Sequence, residues 1–271
     1  MTGAIQVTDL TKSYGNVCVL KGLTFQVKKG EIFALLGVNG AGKTTALECI
    51  EGLRSYDGGS VTVDGKIGVQ LQSAALVAHI RPMEAVKLFA KWNRTRIDTA
   101  MLDALGITEL GKTQYFQLST GQKRRLHLAL ALLGDPDIIF LDEPTAGLDV
   151  QGRLSLHAQI RRLKAQGKTI LLASHDMAEV ESLCDRIAIL SGGETAFLGT
   201  VAQLAQTLTK RYTIHVTTGQ GSVSVESENI GDTLLQLLEQ YKEQNVTVED
   251  IRIDRGSLEE HFVEIARRVG Q

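Results

Sequence analysis

A nine-residue segment rich in glycine, residues 37–45, constrains this chain more than any other feature. It reads Gly-Val-Asn-Gly-Ala-Gly-Lys-Thr-Thr and follows a continuous apolar run, Ile32 to Leu36, which is typical of a strand buried on both faces. Lys43 to Ile50 has the pattern of a helix. A strand, a glycine-rich turn and a helix in this order aim backbone amides and a helix N-terminus at anionic oxygens. The segment therefore predicts a phosphate-binding loop in an α/β fold.

The residue types in this loop have separate tasks in nucleotide binding. Glycines at 37, 40 and 42 permit backbone angles that a side chain would resist, so Gly37, Gly40 and Gly42 shape the cradle. Lys43 is predicted to reach the β- and γ-phosphates, and Thr44 to ligate Mg²⁺ through its hydroxyl. The other predicted nucleotide contacts from this loop are Asn39, Ala41 and Thr45.

Polar residues follow two further apolar runs. Asp142 and Glu143 come directly after Ile138 to Leu141, and His175 follows Thr169 to Ala173. In an open parallel sheet, ligands bind beyond the carboxyl ends of the strands, so these three side chains are expected beside the phosphate loop. Taken alone, the acids would fit a helix cap or a solvated turn equally well.

A short polar turn, Leu118-Ser119-Thr120-Gly121-Gln122, lies between the loop and the acids. Here the chain resembles the ATP-binding subunits of ABC transporters, whose signature reads LSGGQ. The resemblance covers about residues 3 to 205 and rests on five motifs in the same order. In that family the signature of one subunit closes over the ATP held by another. Thr120 departs from the usual glycine, and its Cβ restricts the approach of the backbone to a phosphate.

The resemblance implies a role for each polar residue near the loop. It implies that Asp142 organises Mg²⁺ and its waters, that Glu143 polarises the water that attacks the γ-phosphate, and that His175 contacts that phosphate. The predicted catalytic residues are Glu143, His175, Lys43 and Gln72, and the predicted metal ligands are Thr44, Gln72 and Asp142.

The resemblance also implies residues that serve a neighbouring subunit. Ser119, Gly121 and Gln122 would contact the neighbour's ATP, and the segment ending at Asp149 would lie at the dimer interface. By themselves, Ser119 and Asp149 fit ordinary helix N-caps.

Two more positions match the family pattern. Tyr14 occupies the place of an aromatic residue that stacks on adenine, and the alternative is a strand-end tyrosine packed on the sheet. Gln72 matches the glutamine that links Mg²⁺ to the helical region. Gln70 is a rival, and the distance from Ile67-Gly68 favours Gln72.

The pattern of elements predicts two domains. Residues 1–208 are predicted to form an ABC ATPase domain, a P-loop NTPase core of the α/β class with an N-terminal antiparallel β subdomain and a helical subdomain at about 73–134. Residues 209–271 are predicted to form a small α+β accessory domain. Further strand pairing is expected from Gly59 to Gln72, and a helix is expected near Gly152 to Gln166.

Composition limits the partners. The 271 residues carry a net charge of −2, which gives no electrostatic case for nucleic-acid binding. Three scattered cysteines suggest neither a disulfide framework nor a zinc cluster. No apolar run approaches the ~18 residues of a spanning helix, so the chain is expected in the cytoplasm, held at the inner face of the cell membrane by a separate permease.

The predicted function is ATP binding and hydrolysis that powers this permease, in a pair of two copies or of this chain and a sibling. The tail Gly256-Ser257-Leu258-Glu259-Glu260-His261-Phe262 is similar to the closing segment of drug- and antibiotic-exporter ATPases. The resemblance therefore implies an exporter of a drug, an antibiotic, a lipid or a similar amphiphile. The alternative is an ABC ATPase acting on ribosomes, DNA repair or cluster assembly.

Overall fold

The structure is a computed structural model and describes residues 3–70, 75–207, 212–255 and 258–268. The chain divides into two compact units. One consists of Met1–Gly199 with Ile265–Gln271, and the other of Thr200–Glu264. None of the helices within the described ranges combines the length and apolar character that a membrane crossing requires. The domain limits 1–208 and 209–271 stay a prediction.

Two sheets form the first unit. Its strands are β1 (Gly3–Tyr14), β2 (Val17–Lys28), β3 (Ile32–Leu36), β4 (Gly58–Val63), β5 (Ile67–Gln70), β6 (Ile138–Asp142), β7 (Thr169–Ser174), β8 (Arg186–Ser191) and β9 (Glu194–Gly199). An antiparallel sheet has the order β2-β1-β4, and a six-stranded sheet has the order β5-β6-β7-β3-β8-β9. Strands β5, β6, β7, β3 and β8 run parallel, and β9 joins β8 antiparallel.

Helices accompany the six-stranded sheet. They are α1 (Lys43–Ile50), α2 (Pro82–Trp92), α3 (Thr99–Ala104), α4 (Thr120–Ala131), α5 (Val150–Ala165) and α6 (Met177–Leu183). Every residue of β3, β6 and β7 is buried, as expected for parallel strands covered on both faces. Because these three strands run parallel, their carboxyl ends lie at one edge of the sheet, and the polar residues that follow them converge there.

The second unit is smaller and has a sheet of its own. Its elements are α7 (Val201–Thr207), β10 (Tyr212–Thr218), β11 (Gly221–Ser227), α8 (Ile230–Glu243), β12 (Val248–Arg255) and α9 (Leu258–Arg268), the last running beyond the unit's limit. The sheet is antiparallel with the order β11-β10-β12. On β10, Ile214 and Val216 are buried, whereas the alternating His215 is hydrogen-bonded to Ser224 on the neighbouring strand.

The α/β fold class is confirmed, and the structure adds local features that the sequence did not predict. Strand pairing is predicted from Gly59 to Gln72, and the described residues there form β4 and β5 in two different sheets, because the chain turns at Gly65, whose φ of 147° suits glycine. Strand β9 was not predicted, although Gly192 and Gly193 have φ values of 55° and 88°, as a tight hairpin turn requires. Helix α7 was not predicted either.

Candidate functional site

The glycine-rich loop occupies the edge of the parallel sheet, between β3 and α1. Gly42 is the N-cap of α1 and has a φ of 100°. A Cβ at this position would also lie 2.9 Å from Leu20 Cδ2, so both backbone angle and space require glycine. Gly42 offers no side chain to cap the helix, which leaves the first-turn amides aimed at the loop. Within the loop, Gly37 and Ala41 are buried, Thr45 is half-buried, and Asn39 and Gly40 are exposed.

The Lys43 side chain is folded back across the loop. Its ammonium donates hydrogen bonds to the carbonyls of Gly37 at 2.7 Å and Val38 at 3.3 Å. The same nitrogen lies 3.5 Å from Glu143 Oε1. A cation held at the centre of an amide-lined loop is suited to binding phosphate oxygens.

Glu143 connects the loop to His175. Its Oε2 lies 2.7 Å from His175 Nδ1, and its backbone N–H donates to the carbonyl of Ala173. Glu143 has a φ of 48°, in the left-handed region that a residue with a side chain rarely adopts. Backbone strain of this kind concentrates at functional sites. The carboxylate is buried, whereas the imidazole is half-exposed and borders the edge of the sheet.

Asp142 and Thr44 form a second polar pair beside the loop. The Thr44 hydroxyl donates to Asp142 Oδ2 at 3.0 Å, and Asp142 Oδ1 is buried with no hydrogen-bond partner within the described part of the chain. Burial raises the pKa of Asp142, and the nearby Glu143 carboxylate raises it further, while the Thr44 hydrogen bond opposes the rise. A free carboxylate oxygen next to a hydroxyl is the kind of donor set that fits Mg²⁺.

Ser119 and Asp149 begin two helices that point toward one cavity. Ser119 Oγ accepts a hydrogen bond from the Gln122 N–H, and Asp149 Oδ1 accepts one from the Gly152 N–H at 2.7 Å. Both side chains are therefore N-caps in this structure. The cavity has a volume of about 560 Å³, and Gly121 and Gln122 also line it. Two helix N-termini at one cavity favour an anion.

Thr120 adds a contact that glycine could not make. Its Cγ2 lies 3.5 Å from the point where a Cβ on Gly147 would be. The methyl group therefore lies beside Gly147, in the loop that runs from Glu143 to Asp149. This departure from the LSGGQ pattern fills space next to the loop while the Ser119 hydroxyl stays exposed.

Tyr14 lies at the end of β1 with 42% of its surface exposed. Lys12 Nζ is 5.6 Å and Arg54 Cζ is 5.4 Å from the ring centroid. These cation–π contacts were not foreseen, because Arg54 comes from the segment after α1 and no local pattern links it to Tyr14.

Of the two glutamines predicted as candidate Mg²⁺ ligands, Gln72 lies outside the described residues and Gln70 lies within them. Gln70 is the last residue of β5 and is buried, and neither atom of its amide has a hydrogen-bond partner among the described residues. Gln70 is paired in the sheet with Leu141, one residue before Asp142.

Sequence reasoning missed Glu51, a buried carboxylate just after α1. Burial raises its pKa to about 7, and the charges of Asp142 and Glu48 add to the rise. Its Oε2 has no hydrogen-bond partner in the described part of the structure. No spacing in the sequence marks this residue, because its burial results from tertiary packing.

We expect Glu51→Gln to stabilise the ligand-free protein at pH 8. The folded-state pKa of about 7 lies above the ordinary value of 4.5, so the folded state holds a proton more tightly than the unfolded chain. Stability from this group is complete below about pH 4.5 and is lost as the pH rises through 7. The variant should gain about 1–3 kcal/mol at pH 8 and almost nothing at pH 4.5.

Urea unfolding at several pH values without nucleotide or metal measures this effect. Glu48→Gln is the matched control: it removes a charge that raises the pKa of Glu51 but also breaks the ion pair with Arg54 at 2.6 Å, so its gain at pH 8 should be clearly smaller than that of Glu51→Gln. An equal shift of the Glu51→Gln midpoint at all pH values would show that the buried carboxylate is not the cause.

Comparisons with known proteins identify the family of the chain. The sequence profile of the ABC transporter family matches residues 20–146. The linearmycin resistance ATP-binding protein LnrL of Bacillus subtilis is 36% identical over 222 residues, which are 75% of this chain and 71% of that protein. The Nod factor export ATP-binding protein I of Rhizobium meliloti is 40% identical over 210 residues, 71% of this chain and 63% of that protein. The chain thus spans about two thirds of the length of these relatives.

Solved structures give the same match. A structure described as the ATP binding subunit of an ABC transporter superposes with a TM-score of 0.68 at 27% identity, over 75% of this chain and 92% of the other. The inward-facing conformation of a putative metal-chelate type ABC transporter gives a TM-score of 0.69 over 83% of this chain and 97% of the other. Because its identity is only 23%, the second match supports the fold and nothing more specific.

Proposed function

The chain belongs to the ABC transporter family of ATP-binding, ATP-hydrolysing subunits, and from that premise we propose that it powers a separate membrane permease that exports an amphiphilic cargo. The observation that carries the proposal is the convergence of Lys43, Glu143 and His175 with the Thr44–Asp142 pair at one edge of the sheet. These are the parts that phosphoryl transfer to water needs: a phosphate cradle, a residue to orient the water, and a metal site.

In this proposal the residues of the loop hold the triphosphate. The Lys43 ammonium exchanges its carbonyl partners for phosphate oxygens, and the first-turn amides of α1 bind beside it. The Glu143 carboxylate accepts a hydrogen bond from the attacking water and so orients it in line with the γ-phosphate. His175, already 2.7 Å from Glu143, donates a hydrogen bond to the same phosphate group.

Mg²⁺ would be held by Thr44 and Asp142, with Gln72 as a further ligand. The unpartnered Oδ1 of Asp142 supports this assignment, because a buried carboxylate oxygen needs a partner. When bound, the ion supplies charge neutralisation on the β- and γ-phosphates. Tyr14 would stack on the adenine, with Lys12 and Arg54 beside it.

A second subunit would complete each site. The cavity between the N-termini of α4 and α5 has no triphosphate-binding loop of its own, yet it favours an anion. We place there the γ-phosphate of ATP held by the partner, with Ser119, Gly121 and Gln122 as contacts and Asp149 at the interface. The partner is a second copy of this chain or a sibling subunit.

The permease would dock on the helical region of the first unit. In the segment around Leu76 to Phe89, Val77 is 74% and Leu88 is 54% exposed, and Trp92 beyond it is 78% exposed. Leu88 and Trp92 are one helical turn apart on α2, and exposed apolar side chains that neighbour one another mark interaction surfaces. Through this contact the protein would lie at the inner face of the cell membrane.

The kind of cargo follows from the relatives. Their names describe linearmycin resistance and Nod factor export. We propose export of a drug, an antibiotic, a lipid or a similar amphiphile. Of the tail segment that resembles exporter ATPases, Gly256 and Ser257 lie outside the described residues.

The test is to purify the tagged chain from its host in detergent and to identify retained proteins with spanning helices. We expect one permease, and we expect Val77→Glu together with Leu88→Glu to reduce its recovery by about tenfold while basal ATPase activity is kept. Leu235→Glu is the matched control, because Leu235 is 60% exposed in the other unit. Absence of a retained permease, or equal retention by the double variant, would count against a transport role.

A further inference from the structure

A second cavity, of about 500 Å³, lies away from the nucleotide motifs. One wall is the segment around Arg96 together with α3. The other is formed by Leu132 and Leu133 after α4, by the loop to β6, and by the last turns of α5 with Arg162 and Leu163. This volume is within the range of small-molecule sites, about 300–1,000 Å³.

The lining has an apolar floor. Leu105, Leu132, Leu133 and Leu163 are all buried side chains that contribute to it, and Met101 is half-buried beside them. A ligand here could therefore remove an apolar body from water, which is the main source of affinity at concave sites.

The charges of the lining favour an anion. Lys168 forms an ion pair with Asp135, so these two charges compensate each other. The Asp98 side chain accepts a hydrogen bond from the Met101 N–H and caps α3. Arg96 and Arg162 also line this cavity, and neither forms an ion pair within the described part of the chain. The lining thus carries three basic side chains (Arg96, Arg162 and Lys168) and two acidic ones (Asp98 and Asp135), and this positive excess beside apolar side chains matches a carboxylate or phosphate attached to an apolar body.

The cavity is joined to the nucleotide motifs by three elements. Helix α4 runs from the Ser119 cap to the cavity over about 18 Å, and α5 runs there from the Asp149 cap over about 24 Å. Strand β6 begins two residues after Pro136, which lines the cavity, and ends at Asp142. A ligand that shifts either wall would act on the ends of elements that carry the site residues.

We propose that this cavity binds an amphiphilic anion, a carboxylate or phosphate on an apolar body, and that its occupancy is linked to ATP binding. The proposed binding of the anion depends only on the cavity, whereas the linkage rests on the proposed ATP site. The linkage must be reciprocal: ATP and the anion change each other's binding affinity by the same factor.

The probe is 8-anilinonaphthalene-1-sulfonate, whose fluorescence rises on binding, titrated into the full chain. Decanoate and decyl phosphate should each displace it, and the tighter of the two identifies the head group, whereas decanol should not compete. The variant with Arg96→Gln and Arg162→Gln should bind the probe about tenfold more weakly. Ala104→Phe, which fills the cavity, should abolish displaceable binding, and Arg161→Gln on the same helix should leave it unchanged.

Several results would overturn the proposal. Unchanged probe affinity in the double glutamine variant, in a sample that keeps its circular dichroism and melting temperature, would refute the site, as would equal displacement by decanol. For the linkage, ATP added to Glu143→Gln should change the probe's dissociation constant at least about threefold. No change would refute the linkage, provided that binding of a fluorescent ATP analogue in the same sample shows the ATP site to be intact. Loss of that analogue's binding would instead be a failure of the proposed function.

Discussion

Glu143→Gln is expected to bind ATP, to pair, and to turn ATP over at least about tenfold more slowly than the unaltered chain. Glutamine keeps the size of the side chain and a hydrogen-bonding oxygen, but it has no negative charge to orient and polarise water. The substitution also removes the ion pair between Glu143 and Lys43, whose charged atoms lie 3.5 Å apart. Because Lys43 is then free to bind phosphate oxygens, ATP binding should be kept or strengthened. Phosphate release at saturating ATP measures turnover, and gel filtration with ATP measures pairing.

Glu48→Gln is the control for this experiment, because it makes the same chemical change close to the site at a residue that is paired with Arg54. Its turnover should stay within about twofold of the original. If Glu143→Gln kept full turnover, the water-orienting role of Glu143 would be wrong, and the strain at its φ of 48° would need another explanation.

Ser119→Arg is expected to leave ATP binding by the separate subunit intact and to abolish ATP-driven pairing. The substitution places a long charged side chain in the cavity at the N-termini of α4 and α5, where we propose that the partner's ATP enters. The phosphate loop of the same chain is a different surface and is unchanged. Titration of a fluorescent ATP analogue and gel filtration with ATP separate the two properties.

A second variant separates the proposed contact from helix capping. Ser119→Asp keeps a good N-cap for α4, so its thermal stability should change little. Its carboxylate would repel a triphosphate, and pairing should fail as it does for Ser119→Arg. Ser222→Arg, at an exposed position of the second unit, should pair normally. Pairing by both Ser119 variants would argue against a shared site.

The positions of the glycine-rich loop and of the acids could be predicted from the sequence, because each directly follows an apolar strand. A buried strand leads into the loop, and the loop leads into α1, so Lys43 needs no distant residue to be placed. Asp142, Glu143 and His175 follow apolar runs, and parallel strands bring their carboxyl ends to one edge. The order of motifs thus predicted the α/β core.

Other features depend on tertiary packing and leave no local pattern. The buried carboxylate of Glu51 and the cations beside Tyr14 come from contacts between segments distant in sequence. The split of the stretch from Gly59 to Gln72 between two sheets depends on the turn at Gly65. The functional roles of Ser119 and Asp149 stay predictions, because one chain shows them only as helix caps.

A crystal structure of Glu143→Gln with ATP and Mg²⁺ tests the shared site most directly. We expect two protomers with each γ-phosphate held by Lys43 of one, while Ser119 Oγ of its partner lies within about 3 Å of that phosphate. A structure in which Ser119 is far from every bound γ-phosphate, in each assembly that the crystal contains, would contradict it.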